Sequence, residues 1–369
     1  MNPNFATEKR FIPNVQKKRI RNPNDLKFLP VDEVLPFMDY FPRIVEDATQ
    51  KESILNYPKV SQRLRKFLNY YCTAGRHMRQ HILIYVYKMI EEHFGTFDQK
   101  NMEDVYKLGW CLELHNCQFM LVDDLIDNHE MRKGKKAWHK LENIGVTSLL
   151  DSYLVQSSMF YLLKKYFSSH PHYVEILESF SKLDLVSGML LELEAVNLKD
   201  FTLQALQDAG TVKTSYYGMA QPFYLAVLLA NKSLYLNEMM NKVFDHIGFL
   251  CTIQNDMVDC FADELGGKPG TDIQENKCVL PIVLALRKAS PQQKKILEEC
   301  YGVNDNAKIK RVKEIYEELD VIGEYFELET EIHNKIAQEI AKIPDKFVRS
   351  LMDNLIYIYT FGEIGTPLE

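Results

Sequence analysis

The chain has 369 residues, 46% of them hydrophobic and 26% charged, with a formal net charge of −7. That is ample material for a large core, and the negative balance argues against nucleic acid as a partner. The longest apolar runs, such as Tyr224 to Ala230 and Val279 to Leu286, are far too short to cross a bilayer, so no membrane span is predicted.

Residues 1–30 stand apart. Lys9, Arg10, Lys17, Lys18, Arg19 and Arg21 crowd this segment, with Glu8 and Asp25 opposing them. It reads as a basic, disordered extension on a cytoplasmic protein. A mitochondrial transit peptide is the alternative, and the acids and scarcity of serine speak against it. From 31 to 369 helical periodicity dominates. After Val105 the apolar positions Leu108, Leu112, Phe119, Val122 and Ile126 keep a three-or-four spacing, as do Ile247, Leu250, Gln254, Val258 and Phe261 after Phe244. Breaks fall at Gly95-Thr96, Lys133-Gly134-Lys135, Ser168 to Pro171, Gly266 to Gly270 and Ser290-Pro291. The pattern predicts one all-α domain of about ten helices, with ligand groups projecting inward. The seven cysteines have no CxxC spacing and read as thiols in a reducing compartment.

Two acidic clusters interrupt these apolar helices: Asp123-Asp124-Leu125-Ile126-Asp127 and Asn255-Asp256-Met257-Val258-Asp259. Residues four apart share a helix face, so Asp123 and Asp127 point the same way, with Asp124 beside them. Asn255, Asp259 and Asp263 form one stripe on the second helix. Carboxylates packed so densely repel one another, and hard oxygen donors of this kind favour Mg²⁺, which completes its octahedron with water and phosphate oxygens. Asp123, Asp124, Asp127, Asn255, Asp256, Asp259 and Asp263 are therefore expected metal ligands. The bland alternative for either cluster alone is a solvated acidic face, but exposure would strand the apolar neighbours in water. Basic residues gather near both clusters: Arg132 and Lys133 after the first, Lys268 and Lys277 after the second, Lys213 midway, and Arg76 with Arg79 near the start. Together they describe a pocket for one or two diphosphates.

These stretches resemble the farnesyl diphosphate synthase family, the trans-isoprenyl diphosphate synthases. Phe119 to Asp127 with Met131 to Gly134 is similar to the first aspartate-rich motif and its basic pair. Ile253 to Asp263, followed by Gly267 to Lys277, resembles the second motif and its lysine-bearing loop, and Val212-Lys213-Thr214 the mid-chain lysine motif. The resemblance runs from about residue 32 to the C-terminus. It implies a helical bundle around a deep apolar cavity, a homodimer, and three Mg²⁺ ions bound to an allylic diphosphate that ionises to a carbocation. Catalytic weight then falls on Asp123, Asp127, Lys213, Asn255 and Asp259. Arg132, Lys133, Lys213, Lys268 and Lys277 grip the substrate diphosphate, and Arg76 and Arg79 mark a second diphosphate site. Phe119, Met120, Tyr216, Tyr217 and Phe223 are candidates for the cavity wall, with ordinary core packing the alternative for each. Gln118 and Phe119 stand where the family sets chain length, which favours a C15 or C10 substrate.

The chain also departs from the family pattern. The segment that binds isopentenyl diphosphate in the family reads Ala74-Gly75-Arg76-His77-Met78-Arg79-Gln80 here. Asn116 replaces a Gln, Met189 a Gln, Glu192 an Asp and Lys133 an Arg. Cys251-Thr252 stands where an aromatic and a Gln are usual, and the tail from Phe361 to Glu369 is acidic rather than basic. Asn255 in place of the first Asp of the second motif resembles the metal triad of class I terpene synthases. These replacements point to a terpene synthase that ionises farnesyl or geranyl diphosphate without a second substrate. The alternative is a short-chain isoprenyl diphosphate synthase with altered contacts.

Overall fold

The computed structural model describes residues 29, 31–50, 57–75, 77–182, 184–232, 238–261 and 270–361; the basic segment 1–28, with Arg76, Asp263 and Lys268, lies outside the described residues. In chain order the helices are α1 (Val31–Asp39), α2 (Phe41–Thr49), α3 (Pro58–Phe67), α4 (Met78–His93), α5 (Met102–Ile126), α6 (Ser148–Phe167), α7 (Tyr173–Ser181), α8 (Asp184–Glu194), α9 (Leu203–Thr214), α10 (Gln221–Leu229), α11 (Glu238–Phe261), α12 (Leu280–Lys288), α13 (Pro291–Cys300), α14 (Asn306–Glu318), α15 (Val321–Ala341) and α16 (Lys346–Phe361). The all-α expectation holds, but with sixteen helices among the described residues rather than about ten. Prolines in the first turns of α2 and α3 account for part of the difference. A helix start tolerates the missing N–H and fixed φ, so these prolines open new helices where periodicity alone ran on. No described helix is long and apolar enough to cross a membrane.

The helices group into two compact units. One holds α1–α7 and α10, the other α8, α9 and α11–α16. In the first, α5 is the central helix, buried on nearly every face from Leu108 to Gln118. Trp110 on α5 stacks on Phe37 of α1 at 4.6 Å and donates its indole N–H to the Phe37 carbonyl at 2.9 Å. Because α5 is enclosed, its polar residues Glu113, His115, Asn116 and Gln118 are buried too. Buried polar groups need partners, and those partners shape the site described below. His115 lies between the rings of Phe119 and Phe180, at 5.0 and 5.2 Å. Burial, with the positive charge of Arg79 adding to it, pushes its pKa down to about 3.

In the second unit α11 packs against α9, α15 and the turn after α9. A Cβ on Gly248 of α11 would lie 2.6 Å from the Ser215 Cα, so the backbones cross too closely for any side chain there. Two π-helical turns punctuate the helices, Leu68–Cys72 after α3 and Ser215–Ala220 after α9. Such turns re-aim side chains and often adjoin functional residues. Here the first carries Tyr71 and the second follows Lys213 and Thr214.

Gly248→Ala is expected to cost about 1–3 kcal/mol through overpacking against backbone; a urea midpoint equal to wild type would contradict this crossing. A pH effect follows from the buried histidines. His115 has its pKa depressed to about 3 from an ordinary 6.5, and His81 to about 4 by burial and neighbouring His77. The unfolded chain takes up protons that the fold refuses, so stability is intact above pH 6.5 and is lost as pH falls toward these values. His115→Gln should therefore flatten the loss seen in urea melts between neutral and acid pH. An unchanged slope would contradict the burial assignment.

Candidate active site

The last turn of α5 carries the first acidic cluster. Asp124 is 1% exposed, and three groups converge on it. Tyr71 donates its hydroxyl to Oδ2 at 2.6 Å, Arg132 donates Nε–H to Oδ1 at 2.5 Å, and the His129 Nδ1 stands 3.3 Å from Oδ1. Arg132 also donates from Nη2 to Asp123 Oδ2 at 2.8 Å, so one guanidinium spans both carboxylates. Burial alone would favour the protonated acid, yet the His129, Arg132 and Tyr71 partners outweigh it and hold Asp124 below the usual carboxylate range. Asp127 follows, its Oδ2 4.0 Å from His129 Nε2. Asp123, Asp124 and His129 can each offer a ligand atom within 4.8 Å of the others. Among the described residues no other His, Cys and carboxylate group meets that condition. The oxygen-rich donor set suits a hard divalent cation.

Arg132 and Lys133 reach this cluster through a hairpin. β1 (Met131–Arg132) pairs with β2 (Lys135–Lys136) in the register Met131 opposite Lys136 and Arg132 opposite Lys135. The two loop residues Lys133 and Gly134 have φ of 50° and 75°, as a type I′ turn requires. Lys133, expected to hold diphosphate, donates Nζ–H to Glu113 Oε1 at 2.9 Å in this structure. Arg79 sits half-buried in the first turn of α4.

The second unit carries the other cluster on α11. Asn255 is exposed and Asp259 half-buried. Asp256 is buried and its Oδ2 accepts the Leu280 N–H at 2.9 Å, capping the start of α12. Burial pushes the Asp256 pKa up to about 8. Asp259 Oδ1 accepts the Asp272 N–H at 3.2 Å. Burial, and then the Asp259 and Asp256 charges, raise the Asp272 carboxyl well above its ordinary range. Lys277 is half-buried in the segment before α12. Lys213, at the end of α9, donates to Glu192 Oε2 at 2.7 Å.

The first unit thus brings Asp123, Asp124, Asp127 and Arg132 together, and the second carries Asn255, Asp256 and Asp259 on one helix. Sequence reasoning passed over Tyr71, Glu113 and His129, and it read Asp272 only as part of a loop. Glu113 had a signal, a lone carboxylate in an apolar helix. Tyr71 had none, because only the fold carries it to Asp124.

Three comparisons bear on what this arrangement is. Residues 61–319 match the family model described as Polyprenyl synthetase. The farnesyl pyrophosphate synthase of Murgantia histrionica is 31% identical over 339 residues, covering 88% of this chain and 81% of the relative. That of Mus musculus is 32% identical over 314 residues, covering 81% and 88%. Among solved structures, a T. brucei farnesyl diphosphate synthase complexed with risedronate superposes with a TM-score of 0.81 at 22% identity, covering 89% of this chain and 99% of that one, which supports the fold. These relatives overturn the terpene synthase expectation: they are named as diphosphate synthases, not lyases. The replaced positions, Met78, Asn116, Met189 and Asn255 among them, do not decide the reaction, since charged groups such as Arg79 and Asp259 persist beside them. The chain belongs to the polyprenyl synthetase family, with the helical fold of the farnesyl diphosphate synthases.

Proposed function

We propose that the chain is a short-chain isoprenyl diphosphate synthase, joining isopentenyl diphosphate to an allylic diphosphate with release of diphosphate. The observation that carries this reading is its likeness to farnesyl pyrophosphate synthases across most of its length, with both acidic clusters retained. The C1–O bond of the allylic diphosphate breaks and its electron pair leaves with the diphosphate. The double bond of isopentenyl diphosphate then attacks C1, a C–C bond forms, and a proton passes to the departed diphosphate. Mg²⁺, the metal of this family, would be held by Asp123, Asp124, Asp127, Asn255 and Asp259, with Asp263 beyond the described residues, and would add positive charge at the leaving group. Arg132, Lys213 and Lys277, with Lys268, hold the oxygens that gain charge, which is where stabilisation accelerates the step. Arg79 and Arg76 take the second diphosphate. Phe119 limits the length of the prenyl chain, so farnesyl or geranyl diphosphate is the product.

The same reading includes a homodimer in the cytosol. Leu150 and Tyr153 are 67 and 60% exposed on the first turns of α6, and Val146, in the turn just before it, is 72% exposed. Val186, Leu190 and Leu193 line one face of α8 at 37, 58 and 51%. Exposed apolar stripes of this kind suit partner contact. The cysteines form no disulfide, as a reducing compartment requires.

Purified protein with Mg²⁺ and both substrates should yield farnesyl or geranyl diphosphate, read as the alcohol after phosphatase treatment. A hydrocarbon from farnesyl diphosphate alone would overturn the proposal. Asp123→Ala or Asp259→Ala should lower turnover by on the order of 100-fold or more while thermal melts stay close to wild type. Full activity in either folded variant would sink the metal assignment. Light scattering should give twice the chain mass, and Leu150→Glu with Tyr153→Glu should halve it; a wild-type monomer would refute the dimer.

A further inference from the structure

Cys72 ends the π-helical turn after α3, and Cys117 lies within α5, 45 residues away in sequence. Both side chains are fully buried. The Cys72 thiol donates to the Cys117 sulfur at 3.3 Å, and the Cys117 thiol donates to Glu113 Oε1 at 3.4 Å. A disulfide bond is about 2.05 Å long, so the two sulfurs stand about 1.2 Å from bonding distance. Only the fold makes this pair, because the two cysteines share neither a motif nor a helix.

The turn that ends at Cys72 is a junction. Tyr70 donates its hydroxyl to the Lys136 carbonyl at 2.8 Å, and its own carbonyl accepts from the Lys135 ammonium at 3.1 Å. Tyr71 donates to Asp124 Oδ2 at 2.6 Å. The turn therefore meets both the hairpin and the acidic cluster, while Cys72 meets α5. Just past Cys72 the chain rises to the surface: Thr73 and Ala74 are half-buried, and Gly75 is exposed with φ of 113°. Local opening at this end gives a small oxidant a route to the sulfurs and leaves bulky reagents outside.

Burial, with the Cys72 thiol beside it, pushes the Cys117 thiol well above its ordinary range, and the positive charge of Lys133 opposes this. A thiol held in that way exchanges slowly with other disulfides. Hydrogen peroxide is small enough to enter. A thiolate of the pair attacks one peroxide oxygen, the O–O bond breaks, and a sulfenic acid and one water result. The second thiol then attacks the sulfenic sulfur, the S–O bond breaks, its proton leaves with a second water, and the S–S bond forms. Two thiols are oxidised and one peroxide is reduced to two waters. With its partner 3.3 Å away, the sulfenic acid is intercepted before further oxidation.

We propose that Cys72 and Cys117 are an oxidisable pair that hydrogen peroxide closes into an internal disulfide, fastening the turn that carries Tyr70 and Tyr71 onto α5. The pair is open in the structure described here. Closure removes the thiol donor from Glu113 and replaces a contact between distant stretches of chain by a covalent bond. The proposal does not depend on which reaction the chain catalyses.

The test treats reduced, full-length protein with hydrogen peroxide, then counts thiols in denaturant and maps peptides by mass. Two of the seven thiols should disappear, and one cross-linked species should join the Cys72 and Cys117 peptides with the loss of two hydrogens. The thermal midpoint should rise by on the order of 5 °C and return with dithiothreitol. Cys72→Ser should show neither change, and Cys278→Ser, which removes the half-buried thiol, should show both. Wild-type peptide masses decide the point even where Cys72→Ser weakens the fold. Seven surviving thiols, oxidation confined to Cys278, sulfinic acid at either position in place of the cross-link, or a cross-linked protein that melts no higher than the reduced one would overturn the proposal.

Discussion

Each acidic cluster meets one electrostatic constraint: carboxylates have been placed inside apolar helices, where like charges repel strongly and water is scarce to screen them. The fold meets this constraint in two ways. In the first unit the answer is cations. Arg132 bridges Asp123 and Asp124, and Lys133 neutralises Glu113. In the second unit backbone donors answer part of it, the Leu280 N–H at Asp256 and the Asp272 N–H at Asp259. Asp256 and Asp272 are pushed upward by burial and by neighbouring carboxylates.

The hairpin between α5 and α6 follows from the same constraint. A type I′ turn is tight, and its two residues with positive φ throw the Arg132 and Lys133 side chains in different directions from adjacent positions. One arginine and one lysine thereby serve separate acidic centres. The π-helical turn at Leu68–Cys72 contributes from the other side by delivering Tyr71 to Asp124. Tyr71, Glu113 and His129 belong to no acidic or basic motif, yet Tyr71 and His129 meet Asp124 and Glu113 accepts from Lys133.

Much of this was legible in the sequence. The helical periodicity around Asp123 and Asn255 marked α5 and α11, and the breaks at Lys133-Gly134 and Ser290-Pro291 fell at the hairpin and at the start of α13. Helix count was read too low, because periodicity bridges proline-initiated helix starts that interrupt the backbone without disturbing the apolar spacing. The reaction class was misread for another reason. Met78, Met189 and the other replacements around the isopentenyl segment were weighed as lost contacts and Asn255 as part of a terpene synthase metal triad, whereas likeness over 88% and 81% of the chain to two farnesyl pyrophosphate synthases outweighs those side chains.

The sequence by itself determined the all-helical class, the positions of both acidic clusters and the basic residues that accompany them. These are local properties: a residue four along a helix shares a face whatever surrounds it, and densely spaced carboxylates demand a counter-charge in any fold. Only the tertiary structure decided which counter-charge each carboxylate receives. Arg132 goes to Asp123 and Asp124, Lys133 to Glu113, Lys213 to Glu192, and the Leu280 N–H to Asp256. Those pairings join residues 8 to 24 positions apart, beyond the reach of helix periodicity, and they exist because packing and turn geometry close those distances.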